Sequence, residues 1–514
     1  MSIATFTSRI LGYVKDMIIA GLFGASGLAD VFYVAFRIPN LLRELFAEGS
    51  MSSAFVPVLT EYRTKHGKAE AERLVSSAFV FIMAFVGLIC LLGIIFAPAI
   101  VTIMAPGFLS DPEKFANTVL LTRIMFPFLL FVSLAALTMG ALNTSGVFFI
   151  PALAPALLNV VTIVCIITLS SRFANPIIAV AIGVSAGGLV QFLFQVPSFF
   201  RQGYRFRSQS AETGKENREG LHPGLRRIGL LIIPSTAGMA VSQFNIFVST
   251  ILASYLATGS ITYLYYSMRL IQFPIGIFGV AMGMAVLPAL SEHAAREEIG
   301  KLKEDFSFAL RLLFFITVPA MAGLIALRTP IVNTLFQRGK FGLEATIGTA
   351  DALMFYALGI WAIVGVRVIT AAFYSMQDTR TPVKIAASAM LVNIFLSLVL
   401  MGPMQHRGLA LANASASCVN FLLLFYFLRK KLGLIGTRSI VRSFSKTVLA
   451  STLMGLAGWF LLKGDLWTSG GHALKKAVYL GGGMALCLVI YCLVSVLLKS
   501  EEMGYLIEKI RHRR

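Results

Sequence analysis

Charge is scarce in this sequence: only 13% of its 514 residues are Asp, Glu, Lys or Arg, against about a quarter in an ordinary soluble domain. With 57% apolar residues and a mean hydropathy of +0.81, the chain cannot clothe a water-facing surface, so a soluble globular fold is excluded and a polytopic membrane protein is predicted. Cysteine is scarce too. Cys90, Cys165, Cys418, Cys487 and Cys492 all fall inside apolar runs with no metal-type spacing, which argues against a disulfide framework and against a zinc site. The six histidines stand singly in loops or at span ends, and neither a metal nor a cofactor is expected. There is no GxxxxGK[ST] phosphate loop. Acidic residues are outnumbered, 24 against 44 basic, for a net charge of +20. Such a balance could signal nucleic acid, but the basic residues gather between apolar runs. Arg201, Arg205, Arg207, Lys215, Arg218, Arg226 and Arg227 form one group, Arg429, Lys430, Lys431, Arg438, Arg442 and Lys446 another, and Lys499, Lys509, Arg511, Arg513 and Arg514 a third. Basic loops beside spans are cytoplasmic by the positive-inside rule, so the charge is read as topology, with no nucleic-acid partner.

A span needs about 20 mostly apolar residues. Fourteen are predicted: 3–24, 28–58, 73–104, 116–143, 149–170, 175–200, 226–256, 260–289, 304–328, 346–375, 381–402, 407–429, 441–463 and 473–498. Most basic residues follow even-numbered spans, which puts both termini in the cytoplasm. Arg9, Lys15 and Asp16 interrupt the first run, so it is read as a retained span and not as a cleaved signal.

The chain repeats itself. "SAFVPVLTEY" at 53–62 returns as "MAVLPALSEH" at 284–293, and an offset of 231 or 232 pairs Arg37 with Arg269, Pro57 with Pro288, Glu61 with Glu292, Pro98 with Pro330, Gly107 with Gly339 and Pro151 with Pro382. The offset encloses six spans. An even number leaves both copies facing the same way, so an all-α fold of two parallel six-helix repeats is expected, the two-lobed pattern of transporters. The organisation predicted is an N-lobe at 1–200, a basic cytoplasmic linker at 201–225, a C-lobe at 226–430, and an unrepeated helix pair with a basic tail at 431–514.

Ionisable residues within spans cost about 2.5–3.5 kcal/mol each on insertion scales and persist where they pair, line a wet cavity or bind substrate. The densest set lies in "FRIPNLLRELFAEGSMSSAFVP" at 36–57, with Arg37, Arg43, Glu44 and Glu48 around Pro39. Pro39 and the "EGS" at 48–50 predict a bent helix along a polar cleft. Arg37, Glu44, Arg123 and Arg367 are read first as structural pairs, whereas Arg9, Arg43 and Arg269 have no opposite charge one turn away and are read as functional. Arginine suits phosphate because its planar fork donates two parallel bonds. Gly183, Gly187 and Gly188, with Gly279 and Gly283, have the spacing of helix-packing positions.

The stretch from Ser8 to Tyr62, "SRILGYVKDMIIAGLFGASGLADVFYVAFRIPNLLRELFAEGSMSSAFVPVLTEY", resembles the opening of the MurJ (MviN) lipid II flippases of the multidrug/oligosaccharidyl-lipid/polysaccharide (MOP) exporter superfamily. The likeness continues through "MAPGF" at 104–108, "YYSMRLIQFPIGIFGVAMG" at 265–283, "LFQRGKF" at 335–341 and "FYSMQDTRTPVKIA" at 373–386. The resemblance implies two six-helix lobes around a cationic cavity and a final helix pair forming a groove for a lipid tail. It implies alternating-access transfer of the undecaprenyl-pyrophosphate-linked peptidoglycan precursor from the cytoplasmic to the periplasmic leaflet of the inner membrane, by a monomer coupled to peptidoglycan synthases. By position, Arg9, Lys15, Arg43 and Arg269 correspond to substrate-binding residues, and Asp30 and Glu48 to acidic cavity residues. Lys15 stands where many members carry Arg, and Glu44 and Met268 also depart from the pattern, implying a rewired charge network. Two alternatives remain: another exporter of the same superfamily, either a flippase of a different lipid-linked oligosaccharide or a drug/cation antiporter, which would want an acidic cavity, and a polyprenyl-phosphate membrane enzyme, which would want a clustered acidic or metal-binding site.

Overall fold

The computed structural model describes residues 2–44, 50–206 and 222–511, and no β-strand occurs among them. Contacts divide the chain into two units, Met1–Tyr255 and Leu256–Arg514. The first holds α1 (Ser2–Phe23), α2 (Gly27–Arg43), α3 (Ser50–Lys65), α4 (Lys68–Ile95), α5 (Ala97–Met104), α6 (Pro112–Thr144), α7 (Phe149–Leu169), α8 (Ile177–Arg201) and α9 (Pro223–Ser254). The second holds α10 (Ser260–Pro274), α11 (Val280–Ala295), α12 (Ile299–Ala326), α13 (Arg328–Phe336), α14 (Leu343–Ala357), α15 (Ile360–Ser375), α16 (Arg380–Met404), α17 (His406–Leu432), α18 (Thr437–Leu461), α19 (Ala473–Leu497) and α20 (Glu501–Arg511).

Eleven helices among the described residues are long and apolar enough to cross a membrane. They include Ser260–Ala295 and Leu343–Ser375, each running through two labelled helices. The expected spans at 3–24, 28–58 and 226–256 are not among the eleven: α1 carries Arg9, Lys15 and Asp16, α2 is 17 residues long, and α9 lies only partly within the described side chains, where it holds the apolar stretch Gln243–Ser254. Large apolar side chains stand exposed along the spanning helices, such as Val80, Leu88 and Leu91 on α4 and Leu391, Phe395 and Leu398 on α16. On helices of this length an apolar exterior is what lipid selects.

The helix order repeats as the sequence offset predicts. α4 and α5 break at Phe96, and α12 and α13 break at Leu327, with Pro98 and Pro330 inside the first turn of the following helix. Proline suits a first turn because its missing N–H would be unsatisfied there anyway. The break frees carbonyls of the preceding helix, and each copy covers the same one with arginine: Arg123 Nε donates to Ile94 O at 3.1 Å, and Arg328 Nη1 to Ile325 O at 3.1 Å. Arg123 therefore has a structural task. The span α6 (Pro112–Thr144) matches Leu343–Ser375 in length, 33 residues each.

α9 begins the second copy in sequence but packs against α3, α4 and α5 of the first unit, so the contact boundary falls at Tyr255 rather than near residue 226. Its far end is held at the "MAPGF" turn, where Gly107 N donates to Ser254 Oγ at 3.1 Å. A Cβ on Gly107 would lie 2.2 Å from Ser254 O. Gly107→Ala is therefore expected to destabilise by about 1–3 kcal/mol through overpacking, read as a lower unfolding midpoint in detergent. Gly229→Ala on the same helix meets nothing within 4 Å and should leave that midpoint in place.

Gly183 and Gly187 do serve packing: α7 backbone lies 3.0 and 2.8 Å from where their Cβ atoms would be. In "FYSMQDTRTPVKIA", Asp378 Oδ1 accepts the Thr381 N–H at 3.1 Å and Oδ2 accepts Thr381 Oγ1 at 3.0 Å and Lys431 Nζ at 2.8 Å. This motif caps α16 and ties it to α17. The Lys431 ammonium beside Asp378 holds the carboxyl below its usual value, so the clasp stabilises at neutral pH and is lost only as pH falls through that lowered value.

Candidate functional site

α2 does not break at Pro39. The proline is buried inside a helix that runs on to Arg43, with Glu44 as its C-cap and the Glu44 N–H bonded to Asn40 O and Leu41 O. In the second copy α10 ends at Pro274 and a π-helical turn covers Ile275–Gly279 before α11. Such turns widen the hydrogen-bond ladder and turn side chains aside, and they concentrate at functional positions.

Four polar side chains meet at the end of α2. Glu44 Oε1 accepts Asn40 Nδ2 at 3.0 Å, and its Oε2 accepts Gln243 Nε2 from α9 at 2.6 Å. Arg43 Nε donates to Asn40 Oδ1 at 3.0 Å, and its Nη2 lies 3.9 Å from Glu44 Oε1. The acid that Arg43 meets is its chain neighbour and not a residue one turn away. Neighbouring residues on an ideal helix point about 100° apart, but these long side chains bridge that angle. Arg43 is half-buried, with 20% of its side chain exposed, and its guanidinium is oriented through Nε. An arginine held in this way presents a fixed fork to an incoming oxyanion.

The other residues singled out divide between the units. On α1, Arg9 is exposed and Lys15 half-buried, with Lys15 Nζ 3.7 Å from the buried Asp16 Oδ1. Asp30 is buried in the first turn of α2, where a carboxylate also suits the positive helix end. Glu48 lies outside the described residues. In the second unit Arg269 is half-buried on α10. Arg367 lies on α15, its Cδ 3.4 Å from where a Cβ on Gly279 would sit, so its stem packs over the π-helical turn Ile275–Gly279. Asp351 pairs with Arg407 at 3.7 Å.

Asn40 and Gln243 were not legible as site residues. Asn40 had a signal, since positions i, i+3 and i+4 share a helix face, which puts it with Arg43 and Glu44. Gln243 had none, being 199 residues from its partner. Among the described residues, no group of three or more His, Cys, Asp or Glu is placed to hold a metal.

A repeated set of helices, eleven of them among the described residues long and apolar enough to span, defines a multi-pass membrane protein. An inward-facing MATE-family multidrug transporter of the MOP superfamily shares the fold, with a TM-score of 0.69 over 84% of this chain and 96% of that one, at 14% identity. The likeness is nearer to a lipid II flippase MurJ in its inward closed conformation, with a TM-score of 0.77, 28% identity and coverage of 97% and 99%. The sequence profile described as lipid II flippase MurJ matches residues 19–476. A probable lipid II flippase MurJ of Vibrio cholerae is 36% identical over 97% of this chain and 96% of its own length. The lipid II flippase MurJ of Burkholderia cenocepacia is 35% identical over 95% and 93%. The chain belongs to the lipid II flippase MurJ family, whose members are multi-pass membrane transporters and not enzymes.

Proposed function

We propose that this chain carries lipid II, the undecaprenyl-pyrophosphate-linked peptidoglycan precursor, from the cytoplasmic to the periplasmic leaflet by alternating access. Family membership supports the substrate. The observation that carries the site is the network at the end of α2, in which Asn40 and Glu44 hold Arg43 in a fixed orientation. In this reading Arg9, Lys15, Arg43 and Arg269 grip the pyrophosphate, and Asp30 and Glu48 counter the cationic groups when the cavity is empty. Fourteen spans, both termini in the cytoplasm, a monomeric state and coupling to peptidoglycan synthases belong to the same reading. The test is depletion in the native cell followed by measurement of lipid II accessibility at the outer leaflet: accessibility should fall as lipid II accumulates inside. Unchanged accessibility would refute the function.

The helices α18 and α19 lie outside the repeat and are assigned to the polyprenyl tail. Truncation after about residue 435 is expected to impair transfer of long-chain lipid substrates more than short-chain analogues, because each buried methylene contributes about 0.8 kcal/mol. Equal impairment of both would point to a folding role for the pair.

A further inference from the structure

Arg311, on α12, was not singled out by sequence, yet it anchors a buried polar cluster at the end of the chain. Its Nη1 bonds Glu501 and lies 3.5 Å from Glu502 Oε1. Glu502 is 2% exposed, in the first turn of α20. Its Oε1 also accepts Ser443 Oγ of α18 at 2.8 Å, and its Oε2 accepts Ser500 Oγ at 2.8 Å. One carboxylate thus joins α12, α18 and the α19–α20 turn. Around it, Lys446 Nζ of α18 donates to Lys499 O at 3.0 Å, covering a carbonyl beyond α19, and Tyr491 Oη of α19 donates to Phe315 O of α12 at 2.6 Å. Met503 enters the apolar cluster of Phe315, Met454 and Tyr491.

A carboxylate in such a place is strongly unfavourable unless paired and fully hydrogen-bonded; Arg311 is its one cationic partner among the described residues, and removing it leaves the carboxylate stranded. The cluster thereby makes the seating of α20 conditional on α12 and α18 being in register.

We infer that Arg311 is a positioning residue which, through Glu502, clamps α20 and the unrepeated pair α18–α19 onto α12, so that the pair moves with the second unit. The consequence for transport rests on the assignment of that pair to the lipid tail; the clamp itself does not. The experiment uses full-length protein and reads amide hydrogen exchange in α20 together with transfer of undecaprenyl and short-chain lipid II analogues in proteoliposomes. Arg311→Met should speed exchange in α20 at least about tenfold, with α6 of the first unit unchanged, and should lower transfer of the undecaprenyl substrate several-fold more than that of the short-chain analogue. Removing both charges in Arg311→Met with Glu502→Met should restore much of the slow exchange, because two matched apolar groups need no pairing and the Ser443 and Ser500 hydroxyls that lose their acceptor cost less than a stranded carboxylate. This second variant also separates a lost clamp from a lost fold. Unaltered α20 exchange in Arg311→Met and in Glu502→Gln would overturn the clamp. Fast exchange with undiminished transfer would overturn the positioning role. Fast exchange with equal loss for both lipids supports the clamp and counts against the tail assignment.

Discussion

Arg9→Ala, Arg43→Ala and Arg269→Ala are each expected to abolish support of growth in cells lacking the native flippase, with the protein still inserted at its normal level. The physical ground is the strength of a charge-assisted contact to a pyrophosphate shielded from water. One such contact contributes about 1.5–3 kcal/mol, so losing one arginine weakens binding by roughly 10²-fold at the upper end. Arg43 gives the finer result. Its Nε is bound to Asn40 Oδ1, and a lysine keeps the charge without that anchor or the fork. Arg43→Lys is therefore expected to insert normally and transport poorly, and Asn40→Ala to show a milder loss of about fivefold through the freed guanidinium. Normal growth with all three alanine variants would remove these residues from the site. Full activity of Arg43→Lys would reduce Arg43 to a point charge.

Collapse of the membrane potential, at constant ATP and constant lipid II supply, is expected to slow flipping severely. The expected driving force is the membrane potential acting on the substrate. The lipid II head group is anionic. Moving it from a negative interior outward is downhill by about 2.3 kcal/mol per net charge for each 100 mV, or roughly 40-fold in the leaflet ratio. After release, the unloaded cationic groups are drawn back toward the cytoplasm by the same field. An ionophore that brings the potential to zero should thus lower outer-leaflet lipid II within minutes. Undiminished flux at a verified zero potential would refute this scheme and leave an ion gradient or downstream consumption as the driver.

The two outcomes depend on features that were legible to different degrees. Arg9, Arg43 and Arg269 stood out because a charge inside an apolar run is costly and therefore conspicuous. Arg123 stood out for the same reason, yet it covers the Ile94 carbonyl, a task visible only once α4 and α6 are side by side. Arg311 sits in α12 as an unremarked basic residue, and its role depends on Glu502, 191 positions further along the chain.

The sequence by itself determined that this is a helical membrane protein built from a repeated set of helices, because hydropathy, proline position and offset are local or periodic properties of the chain. The break at Phe96 was not determined in this way: 73–104 reads as one span from hydropathy alone, and the chain instead divides into α4 and α5 there, with Pro98 in the first turn of α5. Only the tertiary structure decided that α9 packs with the first unit, that α2 runs through Pro39 to Arg43, and that Arg43 is oriented by Asn40 and Glu44 while Gln243 holds Glu44 from α9. Those choices rest on close approach and on the pairing of buried polar groups. Both depend on atoms brought together by folding, and neither leaves a periodic trace in the chain.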